Sequence, residues 1–90
     1  MASVDLKIYG KVQGVFFRQT AKIEADKLGL VGWVRNDFDG TVEVLAVGPK
    51  ENLDDFIKWC QNGSTAAKVD KVEVEWRDSE EDFESFEILY

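Results

Sequence analysis

The chain has 90 residues and a net charge of −7, from 18 acidic and 11 basic residues, with no histidine. That length accommodates one compact core and not a second, and the charge balance repels nucleic acid, which needs clustered Lys and Arg. Residues of the hydrophobic class make up 44% of the chain, yet no apolar run reaches the ~18 residues of a membrane span, and Met1–Asp5 lacks the basic and apolar regions of a signal peptide.

In chain order, Val4-Asp5-Leu6-Lys7-Ile8-Tyr9 alternates as a strand does. A loop with two glycines follows, Gly10-Lys11-Val12-Gln13-Gly14-Val15-Phe16-Phe17-Arg18. Gln19 to Gly29 then reads as a helix closed by glycine. Ala21, Ala25 and Leu28 share a stripe on that helix, with Ile23 well away from it. Strand, glycine-bearing loop and helix start form a geometry that binds phosphates, through inward-turned N–H groups and the positive end of the dipole. Arg18 sharpens the point. A cation in the first helical turn opposes the dipole by roughly 0.3–1 kcal/mol, and no acid in the loop compensates. A shared anion would explain the placement; spacing alone allows an ordinary surface arginine equally well.

Val31 to Phe38 is the next strand, by β-branched and aromatic content. Asp39-Gly40 predicts a two-residue type I′ hairpin turn, with Thr41 to Val47 as the returning strand. Gly48-Pro49 stops it, and proline suits the first position of a second helix. Leu53, Phe56, Ile57 and Cys60 fall at i, i+3, i+4 and i+7, one apolar face. Asn62-Gly63 closes that helix and Ser64 to Ala67 reads as loop. Val69 to Trp76 alternates, with Val72, Val74 and Trp76 on one side. Asp78-Ser79-Glu80-Glu81-Asp82 reads as an acidic turn. The last strand, Phe83 to Tyr90, places Phe86, Ile88 and Tyr90 on one face. The order β-α-β-β-α-β-β predicts a single α+β domain over 1–90: a ferredoxin-like antiparallel sheet with two helices on one face.

Having no histidine, one cysteine and no paired His/carboxylate spacing argues against a zinc or iron site, and no Ser-His-Asp or Cys-His system can be assembled without histidine. Lys11 is followed by valine rather than Ser or Thr, which excludes a Walker loop. Asp37-Phe38-Asp39-Gly40 starts like a calcium loop, but the later ligands are missing. Cys60 lies on an apolar face and reads as a small buried hydrophobe. Its solitude excludes an internal disulfide, and the expected compartment is the cytoplasm. Trp33, Trp59 and Trp76 are spread over three elements, which suits packing better than a stacking surface. Asn36 is more open. Alternation gives it the inward register of Val34, where an amide must find partners. It could satisfy the hairpin backbone or reach a water or substrate beside the loop.

Gly10 to Arg18 resembles the first signature of the acylphosphatases, Gly-x-Val-Gln-Gly-Val-x-Phe-Arg. Gly32-Trp33-Val34-Arg35-Asn36-Asp37-Phe38-Asp39-Gly40-Thr41-Val42-Glu43 resembles the second, Gly-(aromatic)-Val-x-Asn-x-x-Asp-Gly-x-Val-Glu. The spacing between them fits, and the likeness covers nearly the whole chain. It implies hydrolysis of the carboxyl-phosphate bond of small acyl phosphates, with inorganic phosphate as product and no metal or cofactor. It places phosphate binding on Arg18 and on the backbone N–H groups of Gln13, Gly14, Val15, Phe16 and Phe17, and water positioning on Asn36. This chain departs from the pattern at Asp37, where many members have Ser or Thr, and at Gly63-Ser64-Thr65, where many have proline. The expected protein is a monomer that meets a small-molecule acyl phosphate and neither nucleic acid nor membrane. The competing reading is a non-catalytic small-anion or acyl-phosphate binding module of the same fold.

Overall fold

In the computed structural model, residues 1–78 and 82–90 are described. The acidic turn read over Asp78 to Asp82 has its centre outside the described residues. Strand β1 (Ala2–Lys11) leads to helix α1 (Phe17–Lys27), then β2 (Val31–Asn36) and β3 (Val42–Gly48). Helix α2 (Lys50–Asn62), β4 (Lys68–Asp78) and β5 (Phe86–Leu89) complete the chain. One sheet holds all five strands in the order β4-β1-β3-β2-β5. This is the expected ferredoxin-like layout, with one difference: β5 pairs parallel to β2, while the other pairs are antiparallel. The return from β4, at the opposite edge, delivers β5 to β2 in that direction.

The core follows from alternation. Val4, Leu6 and Ile8 of β1 point inward, as do Val42, Val44 and Ala46 of β3 and Val34 of β2, and all are buried. Their register aligns Leu6 with Val44 and Val44 with Val34, so three strands present one continuous apolar layer. Against it lie Phe17, Ala21 and Ala25 of α1 and Leu53, Phe56 and Cys60 of α2. Each large side chain so buried contributes about 1.5–3 kcal/mol. Helix α1 covers β2 and β5, and α2 covers β1, β3 and β4. The small alanines of α1 let it sit close to the sheet, and Ile23 is left 54% exposed on its outer side. Trp59 bridges the helices through Phe17, 5.2 Å between ring centroids, and Phe56 at 6.0 Å.

Element ends differ from the sequence expectations in instructive ways. Asp39-Gly40 is not a two-residue turn: Asp39 has no positive φ, and only Gly40 is left-handed, at φ 88°. The loop is three residues long, closed by Gly40 N donating to Asp37 O (3.2 Å) and Asp37 N to Thr41 O (2.9 Å). This arrangement needs glycine at its third position alone. Thr41 therefore closes the loop opposite Asp37, and β3 itself begins at Val42. Pro49 precedes α2 with extended ψ (139°) rather than opening its first turn. The inward faces of β4 and β5 are only partly covered. Val74 is 40% and Trp76 42% exposed at an edge that α2 does not fully reach, and Tyr90 lies beyond β5 in solvent.

The topology positions the site. β1 and β2 both run antiparallel to β3, so their C-terminal ends meet at the same edge of the sheet. The loop after β1 and the N-terminus of α1 rise over that edge, above Asn36.

Candidate active site

The loop Val12 to Phe16 is held from both sides. Gly14 takes φ 73°, with open space where a side chain would begin. Phe16 takes φ 62°, a left-handed conformation that costs a bulky L-residue about 1–2 kcal/mol. Two bonds hold it there: its carbonyl accepts from Thr20 N (3.1 Å) and Thr20 Oγ1 (2.9 Å), making it the first acceptor of α1. Ser64, in the loop after α2, is buried and donates Oγ to the carbonyl of Val15 at 2.7 Å. With these carbonyls engaged outward, the loop's amides have no such commitment. Among the described residues, the N–H groups of Gln13, Gly14, Val15 and Phe16 meet no backbone acceptor. No acidic residue occupies the first turn of α1.

Arg18 is half-buried in that first turn. Its Nη1 donates to the carbonyl of Leu89 at 3.2 Å, and its guanidinium carbon lies 4.7 Å from the centroid of the Tyr90 ring. Leu89 and Tyr90 thus support the arginine with a neutral carbonyl and an aromatic face, and among the described residues no carboxylate pairs with it.

Asn36 ends β2 directly beneath. Among the described residues, its Oδ1 is buried without a hydrogen-bond partner. Such an atom costs of order 1–3 kcal/mol, so it demands an explanation. The hairpin does not supply one. Gln13 takes that role, its Nε2 donating to the carbonyls of Asp37 (2.7 Å) and Thr41 (2.9 Å). The backbone-satisfying reading of Asn36 is therefore replaced by Gln13.

Gly14, Phe16, Phe17, Arg18 and Asn36 line one cleft of about 140 Å³, together with Val12 and Gln19. At ~30 Å³ for each water-sized group, the cleft holds roughly a phosphate-sized anion and a water. Gln13 and Val15 do not line it with their side chains. Gln13 faces the hairpin and borders an adjoining groove with Arg35, Asn36, Asp37, Phe38 and Tyr90. Val15 is buried in the core.

Asp37 does not line the cleft. Its carboxylate meets Arg35 Nε at 3.3 Å, and Arg35 also reaches Glu43 at 3.3 Å. The Glu43 carboxyl is pushed up from its ordinary value by burial and by the neighbouring Asp37 carboxylate. The added negative charge is answered on the outer face. Asp39, at the hairpin, is held well below the usual range by the hydroxyl of Thr41 and by Lys7. Cys60 is fully buried and its thiol is pushed far up by desolvation, which agrees with a packing role. Among the described residues, no group of three His, Cys, Asp or Glu side chains is gathered as a metal ion would require.

Three features lay beyond the sequence reading: the Ser64 buttress, the Gln13 bridge and the Leu89–Tyr90 support of Arg18. The contacts span 49, 24 to 28, and 71 residues. Only Thr20, four residues after Phe16, carried a local signal, as a hydroxyl placed to bond back one helical turn.

The acylphosphatase family model matches residues 4–88. An acylphosphatase of Pelotomaculum thermopropionicum is 42% identical over 89 residues, 99% of this chain and 97% of its own length. That of Pyrobaculum arsenaticum is 47% identical over 90 residues, 99% and 95% of the two chains. The crystal structure of an acylphosphatase from Bacillus subtilis superposes with a TM-score of 0.97 over the whole of both chains, at 42% identity.

Proposed function

This chain belongs to the acylphosphatase family and hydrolyses acyl phosphates; within that activity we propose that Arg18 and the 13–17 loop hold the phosphoryl group and that Asn36 positions the attacking water. The observation that carries the assignment is the shared cleft, which brings together Arg18, without a carboxylate partner among the described residues, and the buried Oδ1 of Asn36, without a hydrogen-bond partner among them.

The chemistry suits these groups. The carboxylate of an acyl phosphate departs easily, so no protein nucleophile is needed. Phosphoryl transfer through a loose transition state asks for positioning and for stabilisation of spread charge. Inward amides and one guanidinium fork supply both, each charge-assisted bond worth about 1.5–3 kcal/mol. Water held by Oδ1 attacks phosphorus, and the bond from phosphorus to the acyl oxygen breaks. The carboxylate leaves with that electron pair, and the water proton passes to a phosphate oxygen of the substrate. Asp37, paired with Arg35 on the outer face, takes no part. The substrate is a small-molecule acyl phosphate, the product inorganic phosphate, and no metal or cofactor enters. We take the protein to work as a monomer in the cytoplasm. The charges along the edge strand β4 (Lys68, Asp70, Lys71, Glu73, Glu75, Arg77) support the monomer, because they oppose edge-to-edge pairing.

The test is release of phosphate from benzoyl phosphate with a strong chelator present throughout. Chelator-resistant turnover that survives Asp37→Asn is expected. Turnover that vanishes with the chelator, or with Asp37→Asn while phosphate still binds, would overturn the metal-free, substrate-assisted scheme.

A further inference from the structure

Phe16 is the least economical residue of the cradle. It holds a left-handed backbone, which glycine would adopt freely, and its ring is 69% exposed. The other aromatic on the cleft, Phe17, is core. Most of the Phe16 ring therefore lies outside the packed core, and it stands on the rim beside Arg18 and Gln19.

The cleft has two walls. Asn36 belongs to the sheet, while Gly14, Phe16, Arg18 and Gln19 belong to the loop and the helix start above it. Attacking and leaving oxygens lie roughly in line across phosphorus. With water on the Asn36 wall, the acyl oxygen points away from Asn36 toward the mouth of the cleft, where the Phe16 ring on the rim offers apolar surface open to solvent. We infer that Phe16 is the acyl-facing wall of the site and biases the enzyme toward acyl phosphates with a flat aromatic or bulky apolar acyl group. The inference rests on the roles proposed for Arg18 and Asn36. An acyl ring laid against Phe16 in offset or edge-to-face geometry gains from contact in the bound and transition states alike, whereas an acetyl group is too short to share it.

The experiment compares kcat/KM for benzoyl phosphate and acetyl phosphate in the wild type, Phe16→Gly and Phe16→Tyr. Glycine tolerates the loop's φ, so the backbone path is retained. The benzoyl-to-acetyl ratio should fall about tenfold in Phe16→Gly, the scale of losing one apolar contact, and recover in Phe16→Tyr. Any loss common to both substrates reports on the cradle and cancels in the ratio. An unchanged ratio in Phe16→Gly, or one that Phe16→Tyr fails to restore, would overturn the acyl wall. A wild type that turns over neither substrate would instead overturn the proposed roles themselves, and the acyl wall with them.

Discussion

The side-chain amide of Gln13 donates to the carbonyl of Asp37 at 2.7 Å, tying the loop between β1 and α1 to the residue next to Asn36. The same nitrogen reaches Thr41 O at 2.9 Å, so one side chain sets the distance between the two halves of the site. Gln13→Ala should lose about 1–2 kcal/mol of stability by removing the second of two donors to each carbonyl, the first being a backbone N–H of the hairpin. Gln13→Glu should lose more, because a carboxylate would face both oxygens. Urea unfolding ranks the variants, and a Gln13→Glu protein more stable than Gln13→Ala would contradict the bridge.

Ser64 braces the cradle from the other helix. Its hydroxyl is the donor to Val15 O within a buried site, so Ser64→Ala should cost about 1–3 kcal/mol. It should also raise the inhibition constant for inorganic phosphate, because the loop carrying the amides loses an anchor. A variant destabilised with an unchanged phosphate constant would limit Ser64 to a packing role.

Asn36 predicts opposite signs for stability and activity. Its Oδ1 is buried without a partner among the described residues, so Asn36→Ala removes an unsatisfied atom and should be at least as stable as the wild type while losing turnover. Such an exchange is characteristic of a polar group kept for function. A clear loss of stability would show that the amide has a structural task.

The hairpin carries a pH signature. Asp39 is held below its ordinary value of 3.8 by Thr41 Oγ1 at 2.5 Å, by Thr41 N at 3.1 Å and by Lys7 at 2.9 Å. A folded-state value below the unfolded one stabilises the protein fully above about pH 4 and is lost as pH falls below it. Asp39→Asn should therefore flatten the acid limb of the stability profile between about pH 4 and pH 2. Parallel limbs for the two proteins would contradict this linkage.

Much of this was readable from residue order because it is local. Alternation in β1 and the i, i+3, i+4, i+7 face of α2 each bury a contiguous stripe, and they gave the layers and the core. Both signatures placed Arg18 and Asn36 where strand and helix ends meet. What could not be read depends on long-range closure. The parallel pairing of β5 follows from where the sheet has a free edge, and the supports of Arg18 come from residues 71 and 72 positions away. The hairpin was misread for a local reason: an Asp-Gly pair fits both a two-residue turn and the end of a three-residue loop, and the Gln13 amide, which bonds Asp37 O and Thr41 O on either side of the longer loop, comes from outside the local sequence.

Phosphate binding by Arg18 and water direction by Asn36, the roles proposed above, are separated by one pair of inhibition experiments. Benzoyl phosphate hydrolysis would be followed in wild type, Arg18→Ala and Asn36→Ala, each with a titration of inorganic phosphate. Both variants should lose turnover. Arg18→Ala should raise the phosphate inhibition constant about 10- to 100-fold, the loss of one or two charge-assisted bonds, and Asn36→Ala should leave it within a factor of about three. A folded Arg18→Ala protein with wild-type phosphate affinity, or an Asn36→Ala protein with wild-type turnover, would contradict the assignment.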